Sequence, residues 1–128
     1  MIGILLIFHG SKVSSWNEVA DGYKKLLERF FKNVEYGFLE YSKPTIKDAI
    51  NTLAKKEDID TIIVVPVFIS EGTHYKRDIP KIIGMDNEGY ISVDNKRVKI
   101  ILTDALGVDE RIALIIKEKV EKIANNLH

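Results

Sequence analysis

Three residues of this sequence carry an imidazole, His9, His74 and His128, and two of them stand beside glycine-containing turns, His9-Gly10-Ser11 and Gly72-Thr73-His74. A neutral imidazole binds divalent transition metals through nitrogen and accepts a proton near neutral pH. A facing pair therefore suits Co(II), Ni(II), Fe(II) or Zn(II) better than Mg(II) or Ca(II). A closed structural site wants about four protein ligands, so an ion held by two can be released again. Glu71, close before His74, is either a further weak ligand, a second base, or a solvated loop carboxylate. His128, the last residue of the sequence, is assigned to no site.

Lys12, Lys43, Lys76 and Arg77 surround the same two segments, and such a grouping would suit an anionic substrate. Gly10 and Gly72 permit close backbone approach, and N–H groups near Ser11 and Thr73 could bind carboxylates. Tyr41 and Tyr75 are the aromatic residues placed to touch a flat ligand. Trp16, Tyr23, Phe30 and Phe31 follow a helical period and are expected to pack in the core.

Other chemistries are excluded by what is missing. With no cysteine, thiol nucleophiles, disulfides, zinc fingers and iron–sulfur clusters are ruled out. Neither G-x-x-x-x-G-K-[ST] nor G-x-G-x-x-G occurs, and Ser11 lacks a G-x-S-x-G elbow, so nucleotide binding and a serine hydrolase triad have no motif to rest on. Lysine and arginine number 19 against 19 acidic residues, and this zero balance argues against a nucleic-acid binder that works by broad phosphate neutralisation. The longest apolar runs fall far short of the ~20 residues of a membrane span, and the N-terminus has no basic n-region, so a cytoplasmic location is expected.

Two histidines distant in sequence can share a site only if the elements before them lie side by side. Ile4 to Phe8 and Thr61 to Ile69 are continuous apolar runs, as strands buried on both faces read. Between them, a helix over about residues 15 to 32, a strand over Val34 to Tyr41 and a short helix opened by Pro44 complete one strand–helix alternation. Pro66 inside the third strand requires a bulge or a place near the strand's end. A loop-to-helix segment over residues 73 to 83 ends at Gly84, and residues 85 to 98 read as a small hairpin insertion, Tyr90 to Val93 facing Arg97 to Lys99. Lys99 to Thr103 is a fourth strand. A last helix from Asp109-Glu110 carries an apolar stripe of Ile112, Ile115, Ile116, Val120, Ile123 and Leu127.

The fold class expected is α/β over a single domain of residues 1–128, with a four-stranded parallel sheet in the order 2-1-3-4 and helices on both faces. Ligands of such sheets bind at the carboxyl ends of the strands, where the order reverses between strands one and three. His9 and His74 both fall at that switch point.

Leu5 to Lys12, Gly37 to Thr45, Val64 to Pro80 and Gly107 to Arg111 together resemble the small sirohydrochlorin chelatases. That resemblance implies a three-layer αβα chelatase fold and a class II chelatase that inserts cobalt or nickel into sirohydrochlorin without ATP, serving archaeal cobalamin or the nickel tetrapyrrole of methanogens. It implies His9 as metal ligand and proton acceptor, His74 as metal ligand, and Ile69, Ser70, Glu71, Gly72, Thr73 and His74 as the substrate-contacting loop. Lys12 stands where an arginine is frequent, Lys43 where some members have glutamate, and Glu71 where some have histidine, so substrate contact by Lys12 and Lys43 departs from the pattern. No permanently bound cofactor is implied, the Co(II) or Ni(II) ion being a substrate. Larger relatives hold two such domains, which implies a homodimer here, to which the hairpin or the 73–83 helix is expected to contribute. The rival readings are iron insertion for siroheme, a non-catalytic metal or tetrapyrrole carrier, and an anion-binding module with structural histidines.

Overall fold

A computed structural model describes residues 1–13, 15–70, 72 and 75–127. The elements in chain order are β1 (Ile2–Phe8), α1 (Ser15–Leu27), β2 (Val34–Phe38), α2 (Ile46–Ala54), β3 (Thr61–Pro66), α3 (Tyr75–Ile83), β4 (Tyr90–Val93), β5 (Lys96–Leu102) and α4 (Glu110–Ala124). Each boundary has a local cause. Thr45 and Asp48 form a reciprocal capping box that starts α2 at Ile46, two residues after Pro44, so the proline precedes the cap instead of opening the first turn. Gly84, at φ +83°, ends α3 by donating its N–H to the Pro80 carbonyl. Asp109 caps α4 by accepting from the Arg111 N–H at 2.8 Å.

The described strands form one sheet in the order β2-β1-β3-β5-β4. The β1–β2, β1–β3 and β3–β5 pairs are parallel, as the expected 2-1-3-4 order requires. Pro66 is the last residue of β3, where a missing N–H costs the ladder nothing.

The sheet is mixed and has a fifth strand, which corrects the four-stranded parallel expectation. The 85–98 segment is not an appendage, because its second half runs without a break into the predicted fourth strand. Lys96 to Leu102 is one strand, and β4 pairs antiparallel with it through a turn at Asp94-Asn95, both at positive φ. The sequence divided β5 at Lys99 because the charged residues Lys96, Arg97 and Lys99 interrupt its apolar pattern. Arg97 and Lys99 take the exposed side of the strand, while Lys96, on the side of buried Val98, donates from its ammonium to the Lys56 and Ile59 carbonyls.

Alternation along the strands sends residues to two separate clusters. On one face Leu5, Ile7, Ile62, Val64, Val98 and Ile100 pack under α2 and α3. On the other Ile4, Leu6 and Phe8 pack under Ala20 of α1, with Ile63, Val65 and Val67 only partly covered. The helices thus lie on both faces, but α4 contributes no buried residue to either. Its stripe is exposed, with Ile115 at 51% and Val120 at 61% of full accessibility. The aromatic face of α1 is affected in the same way. Trp16 packs on Phe8, but Tyr23 stays half exposed, the chain leaves the helix at Leu27, and Phe30 beyond it is open to solvent, so the expected core role holds only in part.

Candidate functional site

Parallel pairing of Ile7 with Pro66 sets the register at the carboxyl edge. Two residues further along each chain, His9 and Phe68 come face to face, their rings stacked at 4.0 Å between centroids and 24° between planes. His9 is itself exposed, while Phe68 beneath it is buried. The stack fixes the plane of the imidazole and leaves one face of the ring towards solvent. Phe68 was not singled out from the sequence, although the register of two adjacent parallel strands, counted two residues past Pro66, would have found it.

The backbone around His9 is clamped from the neighbouring segment. The Leu39 N–H donates to the Phe8 carbonyl and the Glu40 N–H to the His9 carbonyl, both at 3.0 Å. Gly10 lies at φ +86°, and a Cβ added there would run into the Glu40 carbonyl, so a side chain at this position would collide with backbone. The Ser42 hydroxyl donates to the Ser11 carbonyl at 3.1 Å, and the Asn17 amide to the Lys43 carbonyl at 3.0 Å. The loops after β1 and β2 are therefore one bonded unit, and His9 sits on a rigid support.

In front of His9 is a cavity of about 440 Å³, bounded by Glu40, Phe68, Tyr75, Asp78 and Ile82. Tyr75, the first residue of α3, is buried and meets Phe68 edge-on at 6.3 Å. The cavity thus lies where strand order reverses, at the end of the sheet the topology predicts. Asp78 and Glu40 give it a carboxylate character that the sequence reading did not anticipate.

Of the remaining site candidates, Lys12 and Lys43 are exposed on the clamped loops, with Lys12 Nζ 5.4 Å from the centre of the Tyr41 ring. That contact brings Tyr41 to the same edge. Lys76 pairs with Asp104 at 2.7 Å and Arg77 with Asp78 at 3.3 Å, so part of the basic grouping is balanced by carboxylates. Ile69, Ser70 and Gly72 are exposed beyond β3. Glu71, Thr73, His74 and His128 lie outside the described residues, and the expected His9–His74 pair lies outside them with His74. Among the described residues no three metal-binding side chains cluster.

The groups whose acidity is most displaced lie away from the cavity. Burial and a hydrogen bond to Asp21 push the Tyr36 phenol up to about 12. The Arg111 guanidinium and backbone N–H hold the Asp109 carboxyl down at about 2. Among the described residues no helix is long and apolar enough to cross a membrane.

Comparison with known proteins adds an independent line. The CbiX family model matches residues 3–123. A sirohydrochlorin cobaltochelatase of Sulfurisphaera tokodaii is 47% identical over 123 residues, covering 96% of this chain and 94% of the relative. One from Saccharolobus islandicus (strain L.S.2.15) is 42% identical over 126 residues, covering 98% of each. The crystal structure of a CbiX protein from Marinobacter aquaeolei VT8 superposes with a TM-score of 0.71 at 22% identity, covering 98% of this chain and 99% of that one, a likeness of fold.

Proposed function

This chain belongs to the CbiX family, and from that premise we propose that it is a sirohydrochlorin cobaltochelatase, inserting Co(II) into sirohydrochlorin for cobalamin biosynthesis in the cytoplasm. The observation that carries the reading is the exposed His9 imidazole, held by Phe68 at the rim of the switch-point cavity.

Metal insertion into a free-base tetrapyrrole displaces two pyrrole N–H protons and strips the ion of its former ligands. The protein must therefore supply a base that works near neutral pH and a site that binds the ion incompletely. His9 is the proton acceptor in this reading and, with His74, the metal ligand. An imidazole fixed in plane by a stacked ring and rooted on a clamped backbone loses little further freedom when the substrate arrives. Ile69, Ser70, Glu71, Gly72, Thr73 and His74 form the substrate-contacting loop, and Tyr75, the next residue, borders the same cavity as His9. Sirohydrochlorin carries many carboxylates, and the exposed Lys12 and Lys43 are available to them at this edge. No ATP is consumed, in keeping with a sequence that contains no phosphate loop.

The test is anaerobic absorbance of the protein with sirohydrochlorin and Co(II), Ni(II) or Fe(II) in turn, each against a protein-free control and against His74→Ala. Cobalt-dependent conversion above the control, lost in the variant, is the expected result. Faster conversion with nickel would move the reading to the methanogen tetrapyrrole, and with iron to siroheme. Binding spectra without conversion would replace the enzyme with a carrier.

A further inference from the structure

Tyr41 stands in a backbone conformation that its residue type disfavours. Its φ of +65° lies in the left-handed region, where the Cβ of an L-residue crowds its own carbonyl and bulky side chains are rare. The Ser42 N–H donates to the Glu40 carbonyl at 2.7 Å, so residues 40 to 42 close a tight turn around Tyr41. With a positive φ at its centre this is the rarer, strained form of the γ-turn. Glycine would sit there without that strain. The tyrosine gains no burial to offset it, because its ring is 67% exposed. The exposed Lys12 ammonium is 5.4 Å from the ring centre, and a cation–π contact open to water is weak. The turn is nevertheless held from both sides, by the Ser42 hydroxyl on the Ser11 carbonyl and the Glu40 N–H on the His9 carbonyl. Strain that neighbouring bonds maintain around an exposed side chain is a feature of ligand clamps.

The neighbouring cavity indicates the ligand. At about 440 Å³ it is of the size that takes a drug-sized molecule, and a tetrapyrrole with its carboxylate arms exceeds it. Much of the macrocycle must then lie over the rim. Glu40 lines the cavity, and Tyr41 is the next residue, outside it. We propose that Tyr41 is a substrate-binding residue whose ring stacks on the tetrapyrrole macrocycle, while Lys12 beside it takes a peripheral carboxylate. The proposal rests on the chelatase reading of this site and deepens it. A tetrapyrrole is a wide π-system with anionic groups at its edge, and an aromatic ring with an ammonium beside it is the complement. The bonds from residues 40 and 42 to residues 9 and 11 tie the ring's backbone to that of His9. A macrocycle stacked on Tyr41 is thereby set in register with the imidazole. The strained turn holds the residue at the rim before substrate arrives, so less ordering is left for binding.

Tyr41→Gly separates the ring from the turn. Its urea midpoint should stay at or above wild type, the strain removed offsetting the added freedom of the unfolded chain. Metal-free sirohydrochlorin, titrated anaerobically and followed by absorbance, should bind this variant about 2- to 10-fold more weakly, the worth of one aromatic stack. Tyr41→Asn, which also tolerates this backbone, should match it, and Tyr41→Phe, which keeps the ring, should restore the affinity. The loss should be as large at high salt as at low, since stacking needs no net charge. Unchanged affinity in Tyr41→Gly would overturn the proposal. So would a loss that vanishes at high salt, because Tyr41 would then act only by placing Lys12. A clear fall in the unfolding midpoint would overturn it too, by making the ring a structural element. Failure of the wild type to bind sirohydrochlorin would overturn the chelatase reading and this proposal together, whereas conversion by the wild type with undiminished binding by Tyr41→Gly overturns this proposal alone.

Discussion

The two faces of the sheet are built from the same strands and nearly the same residues, yet only one is finished. Ile62 and Val64 point under α2 and α3 and are fully buried, whereas Ile63 and Val65, their immediate neighbours, point to the α1 face and are only partly covered. The difference lies in the helices. Two helices serve the first face, and α1 alone serves the second, since α4 stands off. A finished face gives the His9 cavity a rigid wall of Tyr75 and Ile79, and an unfinished one leaves apolar side chains such as Tyr23 and Phe31 half exposed. The cavity wall and the uncovered apolar surface are thereby divided between opposite sides of one sheet.

The largest effect that would sharpen this division is chemical. His9→Ala should slow cobalt insertion by about 10²–10⁴-fold, the contribution of a positioned general base, while thermal unfolding and molecular mass stay near wild type because the ring is exposed. Steady insertion by that variant would remove His9 from the mechanism. Next comes packing: Ile62→Ala on the finished face should cost about 2–5 kcal/mol in denaturant unfolding, and Ile63→Ala about 1 kcal/mol or less at high dilution, because a partly exposed side chain has less burial to lose. Equal costs would break the comparison.

A smaller effect separates the two glycines of the site. Gly10→Ala forces a side chain against the Glu40 carbonyl at φ +86° and should cost about 1–3 kcal/mol and some activity, since it disturbs the clamp under His9. Gly72→Ala, with nothing within 4 Å, meets only the strain of φ +68° and should cost about 1 kcal/mol. Urea titrations of both variants, with insertion rates, check the ranking.

The parallel core was legible because strands buried on both faces read as unbroken apolar runs, and the switch point followed from their order. His9 was legible for the same reason, being the first polar residue after β1. Phe68 was not, since a ring stack depends on register between strands distant in sequence. The continuity of β5 was hidden by Lys96, Arg97 and Lys99: Arg97 and Lys99 face outward, and Lys96 directs its ammonium to the Lys56 and Ile59 carbonyls. The stripe of α4 was legible as a surface to be covered, but a stripe does not say which chain provides the cover. The apolar spacing of Ile112 to Ile123 is the same whether the helix packs at home or on a neighbour.

The smallest effect lies at the margin of the unfinished face, where Tyr36 meets Phe8 edge-on at 6.4 Å and donates its hydroxyl to Asp21 at 2.7 Å. Burial and the Asp21 carboxylate both favour the neutral phenol and raise it from 10.0 to about 12. The unfolded chain then ionises at Tyr36 first, so the contribution of this group is fully present below about pH 10 and declines as pH rises from about 10 towards 12. The hydroxyl is largely exposed, and solvent screening keeps the effect modest. Urea unfolding of wild type and Tyr36→Phe between about pH 9 and 11 isolates it, because every other titrating group is common to both proteins. The wild-type midpoint should fall towards that of the variant at the upper end. Parallel curves would mean that water reaches this hydroxyl in the folded protein as freely as in the unfolded chain, and that α1 shelters less of its own face than the Phe8 cluster implies.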